Sequence, residues 1–149
     1  MRRHLLLVVA GCLLIATAGR AENKAKKAQD SLAGTWEVVA MERDGERMKN
    51  EEVKHLQMIF TGKRLTLNKG EKATFDALYT LDPEKDPKTM TVKFLMGPDE
   101  GKTFKGIFSL HKGRLTICWS ESGVKRPTSF TTREKSGRTM YILKRAKTK

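Results

Sequence analysis

The chain has 149 residues, of which 38% are hydrophobic and 32% are charged, and its formal net charge is +13. This length suits one domain with a sizeable hydrophobic core, and two cysteines are too few for a disulfide scaffold. The basic excess favours anionic partners such as acidic polysaccharide, lipid headgroups or nucleic acid met outside the cell, or simply solubility.

The first 21 residues are predicted to be a Sec signal peptide. A basic start, Met1-Arg2-Arg3-His4, precedes an apolar run over residues 5–16. Small-x-small cleavage sites follow at Ala16-Thr17-Ala18 and at Gly19-Arg20-Ala21. The apolar run is too short for a permanent anchor, so the sequence predicts export to the periplasm, cell envelope or medium, with no transmembrane anchor after cleavage.

A lipoprotein anchored through Cys12 is the minor alternative. Val9-Ala10-Gly11-Cys12 resembles a bacterial lipobox. Only about five apolar residues precede it, where about 7–15 are expected. The run also continues through Leu13-Leu14-Ile15, where a lipoprotein normally has a polar tether. Ordinary cleavage is therefore favoured, and it lowers the net charge from +13 to +10, because three arginines and no acidic residue leave with the signal.

The remaining chain is predicted to hold one domain. Residues 22–31 form a polar tether that is either a frayed helix or disordered, residues 32–145 carry strand patterns, and residues 146–149 are a basic tail. Apolar and polar residues alternate from Trp36 onward, and turn signals such as Asp44-Gly45 separate the runs. Residues 50–55 are the one helical candidate in this domain, and Phe130 is predicted to begin a short strand.

These patterns predict an all-β fold with about eight or nine short strands and one short helix. The turn signals recur at roughly 8–12-residue spacing, which is typical of such folds. Alternation with one polar face excludes a parallel α/β sheet. Sequential hairpins favour a small up-and-down antiparallel β-barrel, whose closure removes exposed edges. A two-sheet sandwich is the structural alternative.

Short motifs spread over residues 32–144 carry a family resemblance. They include Gly34-Thr35-Trp36, Glu42-Arg43-Asp44-Gly45, Phe60-Thr61-Gly62, Gly97-Pro98-Asp99 and Arg126-Pro127-Thr128-Ser129-Phe130. Taken together, they resemble the small exported lipocalin-like domains that are abundant in planctomycete bacteria, a family without an assigned activity. The resemblance implies a lipocalin-like barrel and export, and it brings no catalytic residue. At His111-Lys112-Gly113-Arg114 this chain is basic where the family tends to have an acidic turn.

The wider lipocalin pattern also implies how one end of the barrel closes. In that pattern, a basic residue of the last strand lies over the indole of the Gly-x-Trp motif. Here Lys144 or Arg145 would contact the ring of Trp36, beside Gly34, through a cation–π interaction. We expect this contact to close the barrel rather than to bind a ligand.

No catalytic, cofactor or metal motif is found in the sequence. Residues 97–103 lack the glycine spacing of a phosphate-binding loop, and Ser120-Glu121-Ser122-Gly123 lacks the nucleophile elbow. His55 and His111 stand in no metal-ligand spacing. We therefore expect a protein that is not an enzyme and has no cofactor, no metal and no specific nucleic-acid site.

The leading functional hypothesis is an exported binding module that holds a small hydrophobic or amphipathic ligand in the open end of the barrel. The predicted walls of that site are Phe60, Phe75, Tyr79, Phe94 and Phe108. The competing possibility is that inward side chains fill the barrel. Strands of about five to six residues favour a filled or small-pocketed interior.

The alternative function is an envelope interaction or adhesion domain that binds acidic polymers through its basic surface. Such binding would weaken as salt is added. Its candidate residues are Lys24, Lys26, Lys27, Arg64, Lys112, Arg114, Lys144, Arg145, Lys147 and Lys149.

Overall fold

The computed structural model describes residues 13–148, with side chains from Thr17 onward. Its elements, in chain order, are α1 (Leu13–Leu32), β1 (Gly34–Arg43), β2 (Glu46–Arg47), α2 (Asn50–Val53), β3 (Leu56–Thr61), β4 (Arg64–Lys69), β5 (Lys72–Asp82), β6 (Lys88–Met96), β7 (Thr103–His111), β8 (Arg114–Ser120) and β9 (Arg138–Arg145). The fold is mostly β, as the alternation predicts.

Eight of these strands form a closed, antiparallel, up-and-down barrel. Strands β3 to β9 pair in chain order, and β1 pairs with both β3 and β9. The two-residue strand β2 is an extra hairpin partner on β1. Closure of the ring by the β1–β9 pairing confirms the predicted barrel and excludes the sandwich.

Helix α1 packs at the end of the barrel where β1 begins, here called the closed end. Its last residue, Leu32, is buried, and the carbonyl oxygen of Leu32 accepts a hydrogen bond of 2.8 Å from the indole of Trp36. The helix spans both predicted cleavage sites and the predicted tether. The basic start of the predicted signal, most of its apolar run and the lipobox cysteine Cys12 lie outside the described residues. None of the described helices has the length and apolarity that a membrane crossing requires.

The closed half of the barrel is filled with apolar side chains. Its fully buried residues include Trp36, Phe60, Met58, Leu65 and Leu143. Several strands are longer than the expected five to six residues, since β1 has 10 and β5 has 11. Strands of this length make the barrel deeper than strands of five to six residues would, and the added depth leaves room for a hollow at the opposite end.

Phe130 does not begin a strand, contrary to the prediction. It lies in an irregular segment, residues 121–137, that connects β8 to β9 on the outside of the barrel. This connection is here called the strap. Side-chain contacts to neighbouring strands hold the strap, among them three hydrogen bonds from the guanidinium of Arg126. Beneath it, Cys118 lies buried, with its Sγ 3.8 Å from the carbonyl oxygen of Thr131.

Candidate ligand-binding site

A cavity of about 510 Å³ occupies the end of the barrel opposite α1, here called the open end. It lies where β1 ends and β5 begins, and each of the eight barrel strands contributes at least one lining residue near one of its ends. Its aromatic lining residues are Phe75, Phe94, Phe104, Trp119 and Tyr141. This apolar hollow is the candidate site, and we call these five residues the aromatic wall.

Trp119 is the centre of the aromatic wall. Its ring lies 5.1 Å from that of Tyr141, 6.1 Å from Phe75, 6.2 Å from Phe94 and 6.4 Å from Phe104, all in edge-to-face arrangements. Such pairs stabilise one another by about 0.5–1.5 kcal/mol beyond simple burial. The wall is therefore a connected layer of rings whose positions depend on one another.

Gly106 makes the position of Trp119 possible. The two residues are directly opposite each other on β7 and β8. A Cβ atom on Gly106 would lie 2.9 Å from the Cβ of Trp119 and 2.8 Å from the carbonyl oxygen of Cys118. Both distances are shorter than van der Waals contact allows, so only glycine lets the two strands and the indole approach this closely.

Two polar groups of the aromatic wall lack a hydrogen-bond partner in the described part of the chain: the Tyr141 hydroxyl and the Trp119 indole N–H. In the same part, the only unpartnered side-chain nitrogen or oxygen that is sealed from solvent is Oδ1 of Asn68. The Tyr141 and Trp119 groups therefore remain accessible from the cavity. Burial raises the pKa of Tyr141 to about 12, so its hydroxyl is protonated at neutral pH.

Charged side chains form the rim of the cavity: Arg43, Glu52, Lys69, Asp99 and Glu121. Two of the acids are engaged. Oδ1 of Asp99 is 3.1 Å from the ammonium of Lys102, and the carboxylate of Glu52 accepts a 2.9 Å hydrogen bond from the backbone of Lys49. Within residues 13–148, the side chains of Arg43, Lys69 and Glu121 make no ion pair or hydrogen bond.

The structure brings two of the five predicted ligand-binding residues to this cavity. Phe75 and Phe94 line it, with their ring centroids 5.0 Å apart. Phe60 and Tyr79 lie together in the closed half, where the Tyr79 hydroxyl donates to the carbonyl oxygen of Gly62 at 2.9 Å. Phe108 lies beside α1, in a different groove.

Sequence reasoning missed part of the site. Phe104 and Trp119 belong to the apolar strand pattern, but they were not assigned to the ligand site. Tyr141, Arg43 and Lys69 were assigned neither to the core nor to the site. The alternation of Thr139, Tyr141 and Leu143 along β9, all of them buried, is the sequence signal for Tyr141.

Gly34, Trp36 and Arg145 meet at the closed end. The guanidinium of Arg145 lies 4.4 Å from the centre of the Trp36 ring. Gly34 has a φ of 116°, and a Cβ there would approach the Arg145 guanidinium at 3.3 Å. Lys144, the other residue considered for this contact, instead pairs with Glu37 at 3.3 Å on the outer surface.

The basic residues predicted to bind acidic polymers fall into two groups, those with an acidic partner and those without one among the described residues. Lys24 pairs with Glu84, Lys26 with Asp30, and Arg64 with Asp76. The Asp76 carboxylate has its pKa lowered chiefly by its hydrogen bonds to Arg64. Within residues 13–148, the side chains of Lys27, Lys112, Arg114 and Lys147 make no ion pair. Lys149 lies outside the described residues.

A second hollow, of about 590 Å³, lies between α1 and β5 at the closed end. Its lining residues are Glu22, Ala25, Lys26, Gln29, Lys63, Tyr79, Thr80 and Leu81. Half of these side chains come from the polar face of α1, and only Tyr79 brings an aromatic ring. The open-end cavity is the better candidate because five rings converge on it.

Comparison with known protein families, with characterised proteins and with solved structures finds no match to this chain. The resemblance to exported lipocalin-like domains therefore stays a prediction. Among the described residues, no group of three histidine, cysteine, aspartate or glutamate side chains is placed to hold a metal ion. The chemistry of the site thus has to be argued from the aromatic wall and its charged rim.

Proposed function

We propose that this protein is an exported, non-enzymatic binding module that holds a small hydrophobic or amphipathic ligand in the open-end cavity. The observation that carries the proposal is the aromatic wall, five rings lining a hollow of about 510 Å³. This volume falls in the range of about 300–1,000 Å³ that is usual for small-molecule sites. The site combines a largely apolar surface with a few polar groups, which is also usual.

The division of the barrel into two halves supports this role. The closed half is packed with fully buried residues such as Met58, Leu65 and Leu143, which give the fold its stability. In the open half, by contrast, large aromatic side chains form a wall around a hollow. Each residue of the wall is only 3–7% exposed. A ligand in the hollow would therefore cover a small remaining ring surface, at about 25 cal/mol per Å².

Native mass spectrometry of the protein in the form that its own cells produce, purified gently, tests the proposal. We expect a discrete additional mass of lipid or metabolite size. Met48, which lines the mouth of the cavity and is partly buried, offers a way to block it. In Met48→Trp the added mass should be lost, because the indole would occupy the mouth.

The matched control is Val124→Trp, which adds the same side chain at an exposed position on the strap. This variant should keep the added mass. Protein that carries no ligand from cells, and that takes up no apolar probe when one is added in vitro, would contradict the proposal. Equal retention of the ligand by both variants would place the ligand outside the open-end cavity.

The alternative function, adhesion to acidic envelope polymers, is favoured by one observation: within residues 13–148, Lys112 and Arg114 at the β7–β8 turn make no ion pair. Arg114 also lies opposite Lys144 across β8 and β9, although Lys144 is paired with Glu37. The test is binding to a polyanion such as heparin across a salt series. Binding that falls steeply with salt and weakens in Lys112→Gln/Arg114→Gln would support adhesion, while binding independent of salt would exclude it.

A further inference from the structure

The unpaired polar groups facing the open-end cavity are mostly hydrogen-bond donors. Arginine, lysine and the indole N–H can only donate, and a protonated tyrosine hydroxyl can donate as well. At this site those groups belong to Arg43, Lys69, Trp119 and Tyr141. A ligand that satisfies them must bring acceptors.

The acids of the rim have more partners than its cations, although each acid keeps its negative charge. Asp99 is already paired with Lys102, and the Glu52 carboxylate is bonded to the backbone that opens α2. These two carboxylates can therefore accept fewer hydrogen bonds from a ligand. The two cations, Arg43 and Lys69, can still donate all their hydrogen bonds to a ligand, since neither has a partner among residues 13–148.

Glu121, the remaining acid of the rim, lies across the mouth from Lys69 and two strands from Arg43. It follows β8, whereas Lys69 ends β4, and the pairing order puts four strand steps between β4 and β8 in either direction around the ring of eight. Lys69 and Glu121 are therefore on opposite walls. Arg43 ends β1, two strands from β4, so the two cations flank the β3 side of the mouth.

Tyr141 completes this basic side of the mouth. It lies on β9, next to β1, and is paired with Met41, two residues before Arg43. Burial is the main cause of the raised Tyr141 pKa, while the charge of Arg43 lowers this pKa and that of Asp99 raises it. Tyr141 and Arg43 therefore both line the cavity, on neighbouring strands.

We propose that the ligand is a carboxylate amphiphile whose head group is bound by Arg43, Lys69 and Tyr141 and whose apolar body lies against the aromatic wall. This inference rests on the proposed function, because it assigns the chemistry of the same cavity. Charge-assisted hydrogen bonds from arginine to a carboxylate are roughly twice as strong as neutral ones. The rim would therefore select the head group, and the rings would select the apolar body.

Three probes with the same ten-carbon chain separate head group from tail: decanoate, decanol and decyltrimethylammonium. Binding is followed by tryptophan fluorescence of the full chain at concentrations below micelle formation. The chain has two tryptophans, and only Trp119 lines the open-end cavity, while Trp36 is fully buried at the closed end. We expect decanoate to bind about tenfold more tightly than decanol, and the cation to bind most weakly.

Two double variants are compared. The first, Arg43→Gln/Lys69→Gln, removes both cations of the rim. The second, Lys112→Gln/Arg114→Gln, is the control and removes the same charge from the closed end. The first pair should bring decanoate down to the affinity of decanol and leave decanol unchanged. The second should leave the preference for decanoate intact. Circular dichroism checks that both variants are folded, which we expect because these side chains have no partners among the described residues.

The outcomes distinguish this inference from the proposed function. Equal binding of decanoate and decanol, or an equal loss of decanoate affinity in both double variants, overturns the carboxylate site and leaves the cavity proposal standing. If none of the three probes changes the fluorescence of Trp119 or binds by calorimetry, the proposed function itself fails. Tyr141→Phe, which should weaken decanoate more than decanol, tests the third contact separately.

Discussion

Arg145 and Trp36 join the end of helix α1 to the barrel in a single arrangement. The guanidinium lies 4.4 Å from the ring centre and also donates to the carbonyl oxygens of Ala33 at 2.9 Å and Ser31 at 2.6 Å. The indole N–H of Trp36 donates to Leu32. Three carbonyl groups at the end of the helix are therefore satisfied by side chains of the barrel, and a cation stands at the negative end of the helix dipole.

Replacing Arg145 by glutamine should lower the free energy of unfolding by about 1–2 kcal/mol, because the cation–π contact and the charged hydrogen bonds are lost together. Urea unfolding followed by circular dichroism measures the change. Lys144→Gln is the control, since it removes the same charge from an exposed pair with Glu37 that contributes about 0–1 kcal/mol. A loss no larger for Arg145→Gln than for Lys144→Gln would show that the contact with Trp36 is not stabilising.

Gly106→Ala should destabilise the barrel and disturb the aromatic wall. The added Cβ would lie 2.9 Å from the Cβ of Trp119 and 2.8 Å from a backbone oxygen, so the strands or the indole must move. Overpacking of this kind typically costs about 1–3 kcal/mol. Urea unfolding gives the cost, and a shifted emission maximum reports the movement of Trp119.

Ser109→Ala, on the same strand at a half-buried position, is the control for Gly106→Ala and should change neither measurement by much. If Gly106→Ala unfolds like the control and keeps the emission maximum, the close approach of β7 to Trp119 is not a constraint. In that case the cavity would tolerate a wider range of side chains than its geometry indicates.

The barrel could be predicted because its signals are local. Alternation such as that of Leu56, Met58 and Phe60 marks one face of a strand, and turns such as Asp44-Gly45 set successive strands antiparallel. The observed β3–β4 pairing joins strands that the sequence pattern already makes neighbours. Helix α1 was less predictable, because its end is held by Arg145, which is distant in the chain and donates to the carbonyl oxygen of Ser31.

Arg43 shows why the rim of the site could not be predicted. Strict alternation from Trp36 places Ala40 and Glu42 inside the barrel and Arg43 outside it. A register shift between Val38 and Ala40 in the pairing with β9 reverses this, so that Met41 is buried and Arg43 lines the cavity. One extra residue moves every later side chain to the other face of the strand, and no residue type in this strand indicates that such a bulge is present.

Phe75 and Tyr79 show a second limit. Both face the interior of β5, so alternation alone treats them alike. Strand β5 runs from the open end to the closed end, which puts Phe75 in the cavity and Tyr79 in the packed half. The face of a residue follows from its neighbours in sequence, but its depth in the barrel requires the direction and length of the strand.

Arg126 should be required to hold the strap against the barrel. Its guanidinium donates to the carbonyl oxygens of Met90 and Gly106, each at 2.7 Å, and to the hydroxyl of Thr91 at 3.0 Å. Arg126→Lys keeps the charge but cannot reproduce this planar set of three bonds. Amide hydrogen exchange in residues 121–137 should become about tenfold faster or more, because buried bonds to a charged group stabilise by about 1.5–3 kcal/mol each.

The control for Arg126→Lys is Lys125→Gln, a change at the neighbouring exposed side chain that should leave exchange in the strap unchanged. A second readout is the reactivity of Cys118 toward a thiol reagent, since that thiol lies buried under Thr131. Reactivity should rise with exchange in Arg126→Lys. Faster exchange without a change at Cys118 would mean that the strap opens elsewhere than over the thiol.

Tyr141 should make the protein less stable at high pH. Burial raises its pKa to about 12 from the ordinary value of 10.0. The folded protein therefore keeps a proton that the unfolded chain releases, and the stability present below about pH 10 is lost as the pH rises toward 12. Tyr141→Phe should remove this loss, which is about 2–3 kcal/mol in the free energy of unfolding. At neutral pH the same variant should change stability little, because the hydroxyl has no partner within the described residues.

Tyr79→Phe is the matched comparison, because burial also raises the pKa of Tyr79 to about 12. Its hydroxyl, unlike that of Tyr141, donates to Gly62, so Tyr79→Phe should cost about 1 kcal/mol already at neutral pH. Urea unfolding from pH 7 to 12 should be done in a Cys118→Ala background, because burial raises the pKa of that thiol to about 11 and its titration overlaps. Parallel stability curves for Tyr141→Phe and its parent above pH 10 would show that the Tyr141 hydroxyl titrates like that of a surface tyrosine, and would contradict this prediction.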